Sequence, residues 1–284
     1  MKKYYSFAGV NIEIEIPDEV AYLDERYLAP FAAEKMEAPN RFVFEVVDEL
    51  SAPDGACIAN EGGFRVYADG VCTVRYIGAV RPSWKDGYAR VLHRGSEHAV
   101  QIKRSEYTRR IGTHTVLSCL SAEHLVAQAG GFIFHSSYIA HKGKGILFTA
   151  PSGTGKSTQA ALWEELRGAQ ILNGDRSAVR AEPDCVRVYG VPFAGSSQIC
   201  ENVTLPLAAI VYLKQAPQTT IRRLRGAEAF RRIWEGCSIN TWDRGDVELV
   251  SETVGRIVTE LPVYELACTP DESAVIALEG VLAK

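Results

Sequence analysis

The chain has 284 residues and a mass of 31.2 kDa, and its 46% hydrophobic and 23% charged residues are typical of a globular protein with a sizeable core. Its 31 basic and 35 acidic residues give a net charge of −4. The chain therefore lacks the excess of basic residues that is typical of proteins that bind nucleic acid or an anionic membrane. The longest apolar run, residues 205–213, is far shorter than the roughly 20 residues of a membrane span. No apolar leader follows Lys2 and Lys3, so we expect a cytoplasmic protein whose 7 scattered cysteines are free thiols.

Residues 1–110 are predicted to form a β-rich domain, whose role the sequence does not reveal. Strand patterns occupy residues 4–16, 41–47, 64–77 and 88–103, and Gly, Pro, Asp and Asn separate them. Asp69-Gly70 predicts a hairpin turn between two of these strands. His93 and His98 have no third metal ligand nearby in the sequence, so we predict that both lie on the surface.

Residues 111–284 are predicted to form a second domain, in which helices and strands alternate. The spacing of apolar residues predicts a helix over 113–128, followed by strands over 132–140 and 145–149. A hairpin with Ala140 opposite Gly145 would bring His135 opposite residue 150. A histidine in a buried strand can also serve packing alone, and that interpretation stays open.

Residues 150–158, which we call the glycine loop, read Ala-Pro-Ser-Gly-Thr-Gly-Lys-Ser-Thr. They match the phosphate-binding pattern G-x-x-x-x-G-K-[ST] except that Ala150 replaces the first glycine, and a predicted strand precedes them and a helix over 157–167 follows. Main-chain amides and the positive end of that helix would bind phosphate, while Lys156 would meet the β- and γ-phosphates of ATP and Ser157 would coordinate Mg²⁺. The predicted ATP-binding residues are Ser152, Gly153, Thr154, Gly155, Lys156, Ser157 and Thr158.

Asp175 is the second candidate for chemistry. It follows a predicted strand over 170–173, which comes after the helix that Gly168 ends, in a βαβ arrangement. Ligands of such sheets bind beyond the carboxyl ends of the strands, so Asp175 would lie on the same side as the glycine loop. A carboxylate there could accept a hydroxyl proton or hold Mg²⁺, although an aspartate that caps the turn before Ser177 would explain the pattern too.

The histidine, the loop and the aspartate together resemble the catalytic domain of HPr kinase/phosphorylase and its kinase-like relatives, whose fold is similar to that of phosphoenolpyruvate carboxykinases. The steps of 18 residues from His135 to Gly153 and 7 residues from Gly168 to Asp175 match that family. The resemblance covers about residues 130–270. It implies an α/β or α+β P-loop domain behind the β-rich first domain, with His135 beside the transferred phosphate and Asp175 as proton acceptor; the chemistry of Asp175 itself makes it, with Ser157, a predicted metal ligand. The family's paired aspartates read Gly174-Asp175 here.

The sequence therefore predicts an ATP- and Mg²⁺-dependent phosphotransferase that moves the γ-phosphate to a hydroxyl of a protein, peptide or small molecule, with His135, Lys156 and Asp175 as its catalytic residues. Two alternatives stay open, namely a P-loop ATPase or switch without an acceptor, and a carboxykinase-like or degenerate nucleotide-binding module. Residues 190–197 form either a second anion-binding loop or an ordinary connection, and self-association into a homo-oligomer also stays open. A basic segment further along the chain has two possible roles. Either one of its arginines reaches the γ-phosphate, or the arginines form a solvent-exposed face. Its members are Arg222, Arg223, Arg225, Arg231 and Arg232.

Overall fold

The computed structural model describes residues 1–17, 26–61, 63–78, 84–105 and 113–283. The chain divides into two compact units, one of Met1–Ser6 with Val10–Ala122 and the other of Phe7–Gly9 with Glu123–Lys284. The predicted domain boundary at residue 110 lies in the segment 106–112, outside the described residues. Within the described ranges, no helix is both long and apolar enough to cross a membrane.

The first unit is built on one sheet of eight strands in the order β1-β2-β3-β8-β7-β6-β5-β4. Strand β2 is parallel to β3 and β3 to β8, whereas β4 to β8 form an antiparallel meander. The strands are β1 Lys2–Phe7, β2 Val10–Glu15, β3 Asn40–Val47, β4 Ala56–Glu61, β5 Phe64–Ala68, β6 Thr73–Ile77, β7 Ala89–Arg94 and β8 Glu97–Lys103.

Local sequence accounts for most of this sheet. Val10, Ile12 and Ile14 alternate with polar residues along β2 and are buried. The predicted turn at Asp69-Gly70 is present, because the Asp69 carboxylate accepts the amides of Val71 and Cys72 and Gly70 adopts a positive φ of 90°.

The surface position predicted for His98 is wrong. His98 is 3% exposed, and its ring stacks on Phe42 at 4.2 Å between ring centroids. Its Nδ1 atom lies 3.1 Å from His93 Nδ1, across the β7–β8 pair. The prediction considered only whether the histidines could bind a metal, whereas packing against an aromatic ring is sufficient to bury His98.

The helix predicted over 113–128 is interrupted at one residue. It forms two helices, α1 Thr113–Leu120 and α2 Ala122–Gln128, separated by Ser121 in the left-handed conformation with φ of 51°. The Ser121 hydroxyl bonds the guanidinium of Arg75 and lies 3.2 Å from His93 Nε2. These partners are far away in the sequence, so periodicity alone could not predict the break.

The second unit contains a mixed sheet of ten strands and most of the helices, which makes the chain as a whole a mixed α/β protein. Its strands are β9 Gly131–His135, β10 Ser137–His141, β11 Lys144–Thr149, β12 Gln170–Asn173, β13 Arg176–Ala181, β14 Val186–Tyr189, β15 Thr204–Gln215, β16 Thr220–Leu224, β17 Cys237–Ser238 and β18 Val263–Cys268. Its further α-helices, among the described residues, are α3 Lys156–Arg167, α4 Gly226–Trp234, α5 Arg244–Glu260 and α6 Glu272–Leu282.

The strand that leads into the glycine loop is buried on both faces. In β11, Leu147 belongs to a hydrophobic cluster that includes residues of α4 and α5, whereas Ile146 and Phe148 belong to one that includes residues of α3 and α6. Strand β11 pairs in parallel with β15 on one side and antiparallel with β10 on the other. Burial on both faces explains the unbroken apolar run over residues 146–148 of this strand.

The strand predicted over 132–140 is two strands. The predicted hairpin register, Ala140 opposite Gly145, is confirmed for β10 and β11. The chain changes partners at Ser136, however, so β9 pairs with β13 and β17 instead of continuing along β11. His135 is therefore placed by its register opposite Arg176 of β13, not by the hairpin.

Candidate functional site

The glycine loop connects β11 to α3 as the sequence predicts. Gly153 and Gly155 have positive φ values of 77° and 118°, which side chains with a Cβ atom rarely adopt, whereas Ala150 is not among the residues with positive φ. This explains why alanine is accepted at the first position of the pattern. Helix α3 begins at Lys156 and ends at Arg167, where Gly168 adopts the left-handed conformation with φ of 62°.

The start of α3 presents free backbone donors. The amide of Gln159 bonds the carbonyl of Gly155 at 2.9 Å, which is the first bond of the helix. Among the described residues, the amides of Lys156, Ser157 and Thr158 have no backbone acceptor. Together with the positive end of the helix, these amides form a site that favours an anion.

Lys156 is held beside the same loop. Its side chain is 8% exposed, and Nζ donates to the carbonyl of Ala150 at 3.0 Å. Burial lowers the pKa of the Lys156 ammonium, and the negative charge of Asp175 opposes that shift. A buried ammonium with one neutral acceptor is a strong attractor for a phosphate oxygen.

His135 and Asp175 come together at this position. His135 Nε2 lies 3.8 Å from Asp175 Oδ1, and the exposed fractions of the two side chains are 40% and 34%. Burial and then the charge of Lys156 lower the pKa of His135, so the imidazole is neutral near pH 7. The three predicted catalytic residues thus interact electrostatically within one site.

The backbone of Asp175 is fixed while its carboxylate is left available. Its amide donates to Asn173 Oδ1 at 2.9 Å, and its carbonyl accepts from Ser136 at 3.0 Å. Among the described residues, no donor makes a hydrogen bond to either carboxylate oxygen, and Arg176 Nε lies 3.5 Å from Oδ2 as an ion pair. A fixed carboxylate with unused lone pairs is suited to accept a substrate proton.

Asn173 organises this corner, and sequence analysis did not single it out. It is fully buried, and its Nδ2 atom donates to the carbonyls of Val191 and Phe193 at 3.1 and 3.0 Å. Its Oδ1 atom accepts from Asp175 and Arg176. The signal was present as an Asn-Gly pair at the end of a strand, a pattern typical of side-chain-stabilised turns.

Residues 190–197 pack against the aspartate. A Cβ atom at Gly195 would lie 2.5 Å from Asp175 Cβ, and one at Gly174 would lie 2.4 Å from Ser197 Oγ. A second aspartate at position 174, as in the family resembled, would therefore displace the 3-10 turn Gly195–Ser197. The segment supports the carboxylate closely, and its role in binding an anion stays a prediction.

Two adjoining cavities border the glycine loop. The helix cavity, of about 540 Å³, is lined by Thr158 and Gln159 of α3, by the end of β15 and by residues 268–270. The arginine cavity, of about 430 Å³, is lined by residues 151–154, by residues 212–215 of β15 and by Arg232 of α4. Both include Gly153 and Thr154, so each opens onto the loop.

A second group of possible metal ligands lies outside this site. One ligand atom from each of His124, Asp243 and Asp246 falls within 4.8 Å of the others. Asp243 accepts the amides of Gly245 and Asp246 as the N-cap of α5, while Asp246 bonds His124 Nδ1 at 2.8 Å and Asn240 Nδ2 at 2.9 Å. The carboxylate oxygens are engaged in holding the helix start, so we interpret the group as structural.

Replacing Asp246 by Asn is expected to lower the free energy of unfolding by about 2 kcal/mol at pH 6, because Asp246 is 1% exposed and bonds a charged imidazole there. The bond to Asp246 raises the pKa of His124, so this stabilisation is complete below the unfolded pKa of about 6.5 and is lost as pH rises through the folded value. Urea unfolding at pH 6 and pH 9 measures the difference. Glu252→Gln, an exposed change on the same helix, should cost under about 0.5 kcal/mol at both pH values. An equal loss for Asp246→Asn at both pH values would contradict the prediction.

Comparison with known proteins gives a weak structural likeness. No sequence model of a protein family matches this chain, and no curated protein matches it. Among solved structures, the HPr(Ser) kinase/phosphatase from Coxiella burnetii is a distant neighbour, 13% identical, with a TM-score of 0.31 over 53% of this chain and 88% of that chain. At this level of likeness, the geometry of the site itself has to carry any functional conclusion.

Proposed function

We propose that this protein is an ATP-dependent phosphotransferase that moves the γ-phosphate to a hydroxyl group of an acceptor. The observation that carries the proposal is the convergence on one site of a glycine loop with free helix-start amides, a buried Lys156 and the His135–Asp175 pair. Phosphoryl transfer needs chiefly positioning and positive charge around the phosphate, plus a base for the attacking hydroxyl. The first two groups supply positive charge, and Asp175 supplies the base.

The cavities suggest how ATP would lie. The amides of Lys156, Ser157 and Thr158 would hold the phosphates, and the ammonium of Lys156 would meet the β- and γ-oxygens. The adenosine would occupy the helix cavity, whose lining combines apolar Leu213 and Pro217 with the polar side chains of Thr158 and Gln159. The γ-phosphate would then face His135 and Asp175.

The site offers oxygen ligands that fit Mg²⁺. Ser157 presents an exposed hydroxyl in the first turn of α3, and the carboxylate of Asp175 accepts no hydrogen bond within the described ranges. Both are the hard oxygen donors that Mg²⁺ prefers, so we assign them as its candidate ligands. When bound, the ion would neutralise negative charge on the β- and γ-phosphates.

The residues divide the chemistry of transfer among themselves. Asp175 takes the proton of the acceptor hydroxyl while the oxygen of that hydroxyl forms a bond to the γ-phosphorus. The bond between the γ-phosphorus and the β–γ bridging oxygen breaks, and ADP is released. Neutral His135 lies beside the carboxylate and can share a hydrogen bond with the attacking hydroxyl. Lys156 balances the negative charge that develops on the phosphates of the leaving ADP.

Incubating wild-type protein with γ-labelled ATP, Mg²⁺ and panels of hydroxyl-bearing peptides and small molecules tests the proposal. We expect label to move to at least one acceptor, with one ADP formed for each transfer. Release of labelled phosphate without a labelled acceptor would instead support the ATPase alternative. Tight ATP binding without any product would support the degenerate binding module, and the absence of ATP binding would refute all three.

A further inference from the structure

The basic segment that follows β15 contains five arginines, and their positions in the structure differ sharply. Arg222 is held by Glu228 at 2.7 Å and Glu265 at 2.9 Å, and Arg223 lines a separate cavity of about 690 Å³ with His141 and Tyr264. Arg231 has a side chain that is 64% exposed. Arg232 is the member of this segment that lines a cavity together with the glycine loop.

We propose that Arg232 is a catalytic residue that binds the γ-phosphate and stabilises its charge during transfer, an inference that rests on the proposed kinase function. Arg232 lines the arginine cavity together with Ser152, Gly153 and Thr154 of the glycine loop. Within the part of the chain that the structure describes, no other arginine lines either of the two cavities beside the loop.

The guanidinium is oriented in advance. It stacks over the Tyr212 ring at 4.3 Å, and Nη1 donates to the Tyr212 hydroxyl at 3.3 Å and to Glu235 at 3.0 Å. The side chain is 22% exposed, so it lies partly out of water. A planar cation fixed on an aromatic ring loses little further freedom when it binds a phosphate.

Part of the guanidinium still lacks an acceptor. Nε is buried and makes no hydrogen bond, and Nη2 has Glu265 at 3.9 Å, beyond hydrogen-bonding distance. Among the described residues, Arg232 donates hydrogen bonds to Tyr212 and Glu235, and both come from Nη1. Arginine has five N–H donors, so the donors on Nη2 are available for a phosphate oxygen.

The residue that follows α4 by two positions contacts the strands that lead to the proposed site. Gly236, one turn beyond Arg232, accepts the amide of His135 at 2.8 Å through its carbonyl. A Cβ atom at Gly236 would lie 3.0 Å from Thr149 Oγ1, at the end of β11 just before the loop. The chain just beyond α4 therefore lies against His135 and against the end of β11, and Arg232 is one helical turn before it.

Replacing Arg232 by Ala tests the assignment, with Arg231→Ala as the matched control because its side chain is exposed on the same helix. We expect the rate of phosphate transfer to fall about 1,000-fold in Arg232→Ala, and the ratio of ATP affinity to ADP affinity to fall about tenfold while ADP affinity is kept. Arg232→Lys should recover part of the rate, since it keeps the charge and loses the planar fork. Arg231→Ala should match wild type in every assay.

The outcomes separate this inference from the kinase proposal. Transfer within threefold of wild type in Arg232→Ala, with an unchanged ATP-to-ADP affinity ratio, would overturn the role of Arg232 and leave the kinase proposal standing. Wild-type protein that binds ATP without transferring phosphate would refute the kinase function, and the affinity ratio alone would then decide whether Arg232 contacts the γ-phosphate. Wild-type protein that binds neither nucleotide would overturn both. Equal melting temperatures of the variants establish that they are folded.

Discussion

Replacing Asp175 by Asn is expected to reduce phosphate transfer about 1,000-fold while ATP affinity stays within about threefold of wild type. Asparagine keeps the size of the side chain but cannot accept a proton from an attacking hydroxyl. The substitution should not disturb the fold, because the bonds that hold this corner are made by the Asp175 backbone to Asn173 and Ser136, not by its carboxylate. Single-turnover transfer and nucleotide titration measure the two quantities separately.

The matched control for this prediction is Asp184→Asn. Asp184 is an exposed carboxylate that pairs with Arg187 at 2.9 Å, away from the glycine loop, so its loss should leave transfer unchanged. If Asp175→Asn kept more than about a tenth of the wild-type rate, Asp175 would not be the base. A parallel fall in ATP affinity would indicate instead that Asp175 acts mainly as a ligand of the metal–nucleotide complex.

Replacing Lys156 by Ala is expected to weaken ATP binding at least tenfold and to lower transfer about 1,000-fold. Lys156 is 8% exposed as a residue, and its ammonium donates a hydrogen bond to the Ala150 carbonyl. Removing the ammonium leaves the phosphates with the backbone donors of the loop and with the proposed contact of Arg232 to the γ-phosphate. Calorimetric titration with ATP and with ADP shows whether the loss of affinity depends on the presence of the γ-phosphate.

Two further variants keep this prediction decisive. Lys156→Met retains the apolar stem that fills the buried position, so a loss of function shared by Met and Ala would come from the charge and not from a cavity. Lys144→Ala removes an exposed lysine at the start of β11, at the opposite end of that strand, and should have no effect. Wild-type ATP affinity in Lys156→Met would show that the loop does not use this lysine.

Local sequence was sufficient for the elements that carry the loop. The glycines at 153, 155 and 168 adopt left-handed conformations, and the strand before the loop and the helix after it lie within a residue of their predicted bounds. Short-range rules are reliable here because a buried apolar strand, a glycine turn and a helix end each depend on neighbouring residues. Strand β12 likewise occupies residues 170–173, as predicted.

Contacts between distant residues decided the rest. The chain leaves the hairpin at Ser136, where β9 pairs with β13 instead, and this pairing sets His135 opposite Arg176, next to Asp175. The break at Ser121, the burial of His98 and the choice of Arg232 among five arginines likewise depend on side chains far apart in the sequence.

The amino-acid sequence by itself therefore determined the chemical groups of the site and the loop that presents the backbone amides, since these depend on residue type and local conformation. The tertiary structure decided which groups meet. Strand pairing and helix packing fix the distance between His135 and Asp175 and the anchoring of the Asp175 backbone by Asn173, and they decide that Arg232 faces the loop. Such distances arise from register and packing across the sheet, which no local pattern encodes.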